Sequence, residues 1–313
     1  MNTPLSLAGY AQFRVDPERW HRRRLFLATV AAVLLVAALA AYGRSYYLTS
    51  WAERPFSPQH AQLKPGGPLG IRLGMLGAAM FFLIYLYPIR KRVPWLARRG
   101  SARHWLDFHV VLGLTAPFVI AFHSSFKFRG IAGIAFWIMV AVALSGIVGR
   151  YIYAQIPRSL SSAEVSLKEL RTQQDELTQA LAGQRLFRPA ELAPLFDVPT
   201  AGAIGEMGAL RAVAKMFLLD LARPLRVARL RRRALGFGGA LLSFGGLFAT
   251  GDRDLERIVD TARLCSALSK RIAFLERTHK IFHLWHVVHR PFSYSFAVLA
   301  LLHIGVVVLF GFF

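Results

Sequence analysis

Two stretches of the chain share a spacing that suits metal chemistry. HVVLGLTAPFVIAFH at residues 109–123 and HRPFSYSFAVLALLH at residues 289–303 each carry a histidine at both ends of a largely apolar run, 14 residues apart. On an α-helix such a step advances about 21 Å and turns about 1400°, roughly 40° short of four full turns, so both imidazoles of each stretch lie on one face. Neutral imidazole is the commonest protein metal ligand, and ionisable groups inside apolar helices are usually functional. Cys265 is the single cysteine, which rules out an intrachain disulfide, a CxxCH haem attachment and a cysteine-ligated cluster within the chain. A haem would therefore be held noncovalently. His104, His283 and His286 compete for the role but fit less well. His104 is rotated about 140° from His109, and His286 is about 25 Å and about 100° removed from His303. His21, His60 and His279 read as interfacial or hydrogen-bonded residues.

The elements that must position these rings are membrane-spanning helices. Of 313 residues 55% are hydrophobic, and long apolar runs alternate with arginine clusters. The net charge of +22 bunches beside those runs, with no nucleic-acid motif, so nucleic acid is not an expected partner. Spans are expected at residues 25–42, 68–89, 105–126, 131–153 and 287–313. The first apolar run is longer than a usual signal core and is read as part of the mature protein. Residues 43–67, with Pro55, Pro58, Pro65 and a Gly-Gly, read as a polar external loop. Residues 1–24 carry five arginines and residues 90–103 six Lys/Arg, against four in residues 43–72 and two, Lys127 and Arg129, after the third span. That asymmetry predicts a cytoplasmic N-terminus, with residues 154–286 on the same side.

This topology brings His109 and His289 to the cytoplasmic edge and His123 and His303 to the outer one. A bis-histidine haem iron needs one imidazole from each side at equal depth on neighbouring helices. Two helices with matched pairs supply this twice, predicting two noncovalent b haems, one on His109 and His289 and one on His123 and His303. Haem propionates need cationic neighbours. Arg103, Arg150 and Arg290 stand at the inner end, and Lys127 and Arg129 at the outer; all of these also suit plain interfacial anchoring. Pro117 falls within the third span, where membrane helices tolerate proline, whereas Pro291 at a first helical turn would leave His289 outside the regular helix and out of fixed phase with His303.

Histidines spaced in this way on two helices resemble the di-haem cores of respiratory cytochrome b and of the ferric reductase/NADPH oxidase transmembrane domain. In the latter the ligands come from the third and fifth of six helices, and here from the third and fifth spans. WHVVHRPF and GRYIYAQIPR also resemble segments of bacterial membrane b-type cytochromes that work with separate redox subunits. The sequence departs from the oxidase pattern after the fifth span, where no sixth helix or flavin and nicotinamide domain follows. GFGGALLSFGG at residues 236–246 lacks the third glycine of a dinucleotide fingerprint and reads as an apolar packing or shallow membrane-contacting segment. The chain is therefore not expected to oxidise a nicotinamide by itself, since a hydride carries two electrons and a bis-histidine haem takes one.

Residues 154–280 read as a helical cytoplasmic insertion. Ser161-Ser162-Ala163-Glu164 offers a capping box ahead of an apolar pattern at Val165, Leu170, Leu177 and Leu181, with Gly183 as terminator. A charged helix follows at residues 252–277. Residues 154–290 hold 21 Lys/Arg against 13 Asp/Glu, a net of +8, with Arg229, Arg231, Arg232 and Arg233 clustered. Anionic lipid or an acidic redox partner would suit that surface.

The expectation is an all-α integral membrane protein of the bacterial inner membrane. Residues 1–153 form helices one to four, residues 154–286 the cytoplasmic domain, and residues 287–313 the fifth helix, which completes a haem-bearing four-helix bundle. Its work would be electron transfer across the bilayer between a cytoplasmic flavin or iron–sulfur protein and a quinone or outer cytochrome. A quinone-reactive subunit working at one face is an alternative. A haem-free transporter or scaffold using the histidines for metal or protons is another.

Overall fold

In the computed structural model, which describes residues 18–156 and 163–311, every regular element is helical. The order is α1 Glu18–Tyr42, α2 Arg44–Leu48, α3 His60–Leu63, α4 Pro68–Arg90, α5 Pro94–Ala97, α6 Ala102–His123 and α7 Gly130–Gln155. Then come α8 Ala163–Ala182, α9 Pro189–Leu192, α10 Ala201–Glu206, α11 Ala209–Leu242 and α12 Arg253–Leu309, with 3-10 turns at Arg54–Phe56 and Ala193–Leu195. Among these, α1, α4, α6, α7 and α12 are long and apolar enough to cross a membrane. The chain divides into two compact units, one of Met1–Val148 with Val288–Phe313 and one of Gly149–Val287.

In the first unit α4 packs along α6, and α1 lies against α6 as well. Leu39 of α1, Leu73 and Met80 of α4, Val119 and Phe122 of α6, and Met139 of α7 share one apolar core, and Phe296 of α12 packs against it. Helix α1 joins this packing through its last turns, while its apolar span is otherwise not buried. It is fixed at its other end by His21, whose Nε2 lies 2.9 Å from the Asp107 carboxylate in a buried pair, with His104 stacked on the His21 ring at 3.6 Å.

The segment between α1 and α4 is more than the polar loop its composition suggests. Arg54, 4% exposed, donates to the carbonyls of Thr49, Tyr47 and Ser125, the last at 2.6 Å, while Ser125 Oγ donates to the Leu63 carbonyl. Ser125 and Phe126 hold the left-handed backbone that reverses the chain after α6. One buried guanidinium thereby ties the loop to the turn immediately beyond His123. At the opposite end of α4, buried Arg90 donates to the carbonyls of Ala97 and Gly100 and closes the turn into α6.

In the second unit Leu181 of α8, Val227 and Leu230 of α11, and Leu255, Val259 and Cys265 of α12 form one core. Ile152, Ile204, Met216 and Phe274 belong to another. The expected pattern on α8 holds, with Leu170 and Leu181 buried, Leu177 packed on the core, and Gly183 directly after the last helical residue. Part of the proposed capping box, Ser161 and Ser162, lies outside the described residues, as does the side chain of Val165. The charged helix and the fifth span are one element. Asp252 Oδ1 caps its first turn by accepting from the backbone N–H groups of Asp254 and Leu255, and α12 then runs unbroken through Pro291.

Candidate metal-ligand site

His109 and His123 occupy α6, His123 as its last residue, and His289 and His303 occupy α12. Because α12 is helical on both sides of Pro291, His289 keeps its phase with His303. Ser293, one turn past His289, donates its hydroxyl to the His289 carbonyl at 2.7 Å, and the Tyr85 hydroxyl of α4 donates to the Ser293 carbonyl.

Three of the four rings are held by the same nitrogen. His123 Nδ1 lies 2.8 Å from the Gly70 carbonyl, and His109 Nδ1 lies 3.0 Å from the Ile84 carbonyl, both on α4. A carbonyl only accepts, so each Nδ1 carries the proton and each Nε2 presents its lone pair. His289 Nδ1 lies 2.7 Å from Ser145 Oγ on α7, and Ser145 spends its own proton on the Val142 carbonyl at 2.8 Å. Ser145 is therefore the acceptor here too. An acceptor on one ring nitrogen, with the metal on the other, is the arrangement that orients metal-ligating histidines and raises their basicity.

The structure brings His123 and His303 together across the bundle, with ring centres 6.5 Å apart and planes 68° from each other. At the ~2.0–2.1 Å metal–nitrogen distance of imidazole ligation, two trans imidazoles on one ion have ring centres about 6 Å apart. The His123–His303 pair is close to that separation. His109 and His289 are each fixed to a separate neighbour, α4 and α7 respectively, with Tyr87 packed on the His109 ring at 5.2 Å. Gly74 of α4 lets His123 sit where it does, since a Cβ there would come within 2.7 Å of His123 Cε1. On the α6 face between the two histidines, a Cβ at Gly113 would meet nothing within 4 Å, leaving room for a flat group. The donor set and the spacing fit a low-spin haem with two imidazole ligands. Among the described residues, no three histidine, cysteine or carboxylate side chains converge as they would around a bare metal ion.

The basic residues proposed beside this site are more scattered. Arg103 stands in the first turn of α6, half-buried, and Arg290 is exposed beside His289. Arg129 lies over the Trp51 ring at 5.2 Å, and Lys127 is exposed in the same turn. Arg150 belongs to the Gly149–Val287 unit. Of the competing histidines, His104 stacks on His21, and His286 Nδ1 bonds the Phe282 carbonyl of its own helix at 3.0 Å. Sequence reasoning missed Ser145, Gly74 and the His21–Asp107 pair. A serine within an apolar span and an acid two residues before His109 were the available signals. No family model, curated protein or solved structure matches the chain.

Proposed function

We propose that this chain is a membrane b-type cytochrome carrying electrons across a bilayer between a redox protein on the side of the Gly149–Val287 unit and a quinone or outer acceptor. The observation that supports it most is the ligand-ready state of the histidines. The Nδ1 atoms of His109 and His123 are committed to backbone carbonyls, so the lone pair of each ring sits on Nε2, and the His123 and His303 rings stand 6.5 Å apart.

A bound haem would supply a reversible one-electron carrier, chemistry that no protein side chain here provides. The chain's own residues supply position and insulation. His109 with His289, and His123 with His303, set two ligand planes about 21 Å apart along the helices. Gly70, Ile84 and Ser145 fix the tautomer, and the apolar core around Phe122 and Met139 keeps water from the path. Arg103 and Arg290 at one end and Arg129 at the other are the nearest candidates for propionate anchors. By the charge asymmetry of the short loops, the His109–His289 end faces the cytoplasm of a bacterial inner membrane. A flavin or iron–sulfur protein is the fitting partner there, because it converts two-electron donors to single electrons.

The test is a redox difference spectrum with haem quantitation on the purified chain, followed by single alanine variants. Two noncovalent b haems per chain are expected. His123→Ala or His303→Ala should remove the outer centre and spare the inner one, whereas His109→Ala or His289→Ala should do the reverse. Four variants that each retain both haems with unchanged spectra would overturn the assignment.

A further inference from the structure

Helix α11 has two apolar faces, and its own unit buries one of them. Met216, Leu219, Val227 and Leu230 enter the cores described above. On another side Leu210, Phe217, Leu218, Leu221 and Leu225 are each more than half exposed. Their spacing of seven, eight, eleven and fifteen residues from Leu210 makes them one stripe, about 22 Å long at helical rise. A contiguous apolar surface of this kind marks an interaction site rather than ordinary protein surface.

A second apolar element follows the helix and is held firmly. Phe244, Leu247 and Phe248 are also more than half exposed, and Phe244, Gly245 and Gly246 all take positive φ, at 48°, 70° and 83°. An aromatic residue in the left-handed region is strained, so the surroundings must impose it. They do: buried Arg231 donates to the carbonyls of Gly246 and Leu247 and pairs with Glu256, Ser243 Oγ accepts from the Gly246 N–H, and a Cβ at Gly246 would strike the Ala228 carbonyl at 2.4 Å. The fold thus fixes a turn whose large apolar side chains point away from the core.

Charge identifies the occupant. Helix α11 carries eight Lys/Arg and one acid, Asp220, which is already engaged by Tyr151, Arg223 and Lys270. Arg211, Lys215, Arg229, Arg232 and Arg233 are exposed. A symmetric contact between two copies would set these cations against one another. An anionic bilayer surface answers both halves of the pattern, phosphates for the arginines and the headgroup boundary for leucine and phenylalanine. The bilayer is also close at hand, because both ends of this unit continue into helices long and apolar enough to span one.

We propose that α11 and the turn at residues 243–248 form an in-plane contact with an anionic membrane surface, so that the Gly149–Val287 unit is seated on the bilayer. This does not depend on haem binding. The test uses the full chain in nanodiscs, with Cys265→Ser and a nitroxide on Leu221→Cys, Phe244→Cys or, as control, exposed Gln173→Cys of α8. In phosphatidylglycerol-containing discs, positions 221 and 244 should be several-fold less accessible to a water-soluble nickel chelate than position 173 and more accessible to oxygen. Protection should weaken in pure phosphatidylcholine, and in an Arg229→Glu, Arg232→Glu, Arg233→Glu variant. Nickel accessibility equal to the control in both lipids would overturn the proposal. So would shielding from nickel and oxygen together, which means cover by protein, and equal protection in both lipids would remove the role of anionic charge.

Discussion

Gly74 bounds the space in which the His123 ring lies, and Ser145 stands against His289 Nδ1; both act on a proposed ligand without being one. A side chain at Gly74 must displace the imidazole, since even a Cβ would approach it to 2.7 Å. If His123 and His303 hold a haem as proposed, Gly74→Val should weaken its retention while the one proposed on His109 and His289 remains as an internal control on folding. Ser145→Ala removes the acceptor of His289 Nδ1 and should act on the inner centre only. Loss of such a supporting bond typically costs about 10–100-fold in metal affinity, and a less basic imidazole favours the ferrous state, so the inner midpoint potential should rise. Redox titration of both variants with separate fitting of the two centres checks this. If either variant moves both centres equally, or the wrong one, the assignment of supporting residues fails.

At the scale of elements, the second unit joins α11 to α12 through carboxylates set among cations. Burial pushes the Asp220 carboxyl up, but hydrogen bonds from Lys270 and Tyr151 and the charges of Lys270 and Arg223 outweigh it and hold the group below its ordinary range. Burial acts likewise on Glu256, and Arg231 and Thr250 likewise overcome it. A carboxylate depressed in the folded state stabilises above its unfolded value of about 4 and loses that contribution as pH falls through the lower folded value. Stability of this unit should then be flat from about pH 8 to pH 5 and fall below about pH 4. Cys265, buried on α12 in the core that α8 and α11 share, reports it: its reaction with a pyridyl disulfide, which proceeds in acid, should accelerate there. Glu256→Gln should make the unit less stable at neutral pH and flatten the acid dependence, and an unchanged profile would show that the pair contributes nothing. Several elements were legible in the sequence. The five spans and the α8 pattern follow from apolar length and period, and the histidine spacing survives because α6 and α12 are regular. The continuity of α12 was hidden, since Pro291 and the change from charged to apolar residues read as a boundary. Arg54 and Arg90 counted as flanking charges, yet each is a buried staple whose carbonyl partners no periodic signal marks. Ser145 and Asp107 depend in the same way on which helix lies opposite.

For the whole molecule, crossing number and charge together set the sidedness. Four candidate spans, α1, α4, α6 and α7, precede the Gly149–Val287 unit and a fifth helix follows it, so the N-terminus and that unit must share a side if each span crosses once. The short loops give that side eleven Lys/Arg in residues 1–24 and 90–103, against six in residues 43–72 and 127–129. Two of these, Arg90 and Arg54, are buried in loop staples, one on each side, so discounting them leaves the bias intact. The bias predicts that the N-terminus and the large unit are cytoplasmic. The folded loop around Arg54 then faces outward. In a Cys265→Ser background, single cysteines at Phe56, Trp95 and Leu186 occupy exposed positions in the outer loop, the inner loop and the large unit. An impermeant maleimide added to intact spheroplasts should label position 56 and spare 95 and 186 until the membrane is opened. Labelling of 95 and 186 with protection of 56 would invert the orientation and place His109 and His289 at the outer edge. Labelling of 95 but not 186 would break the count of five crossings, and with it the equal depth on which both haem sites depend.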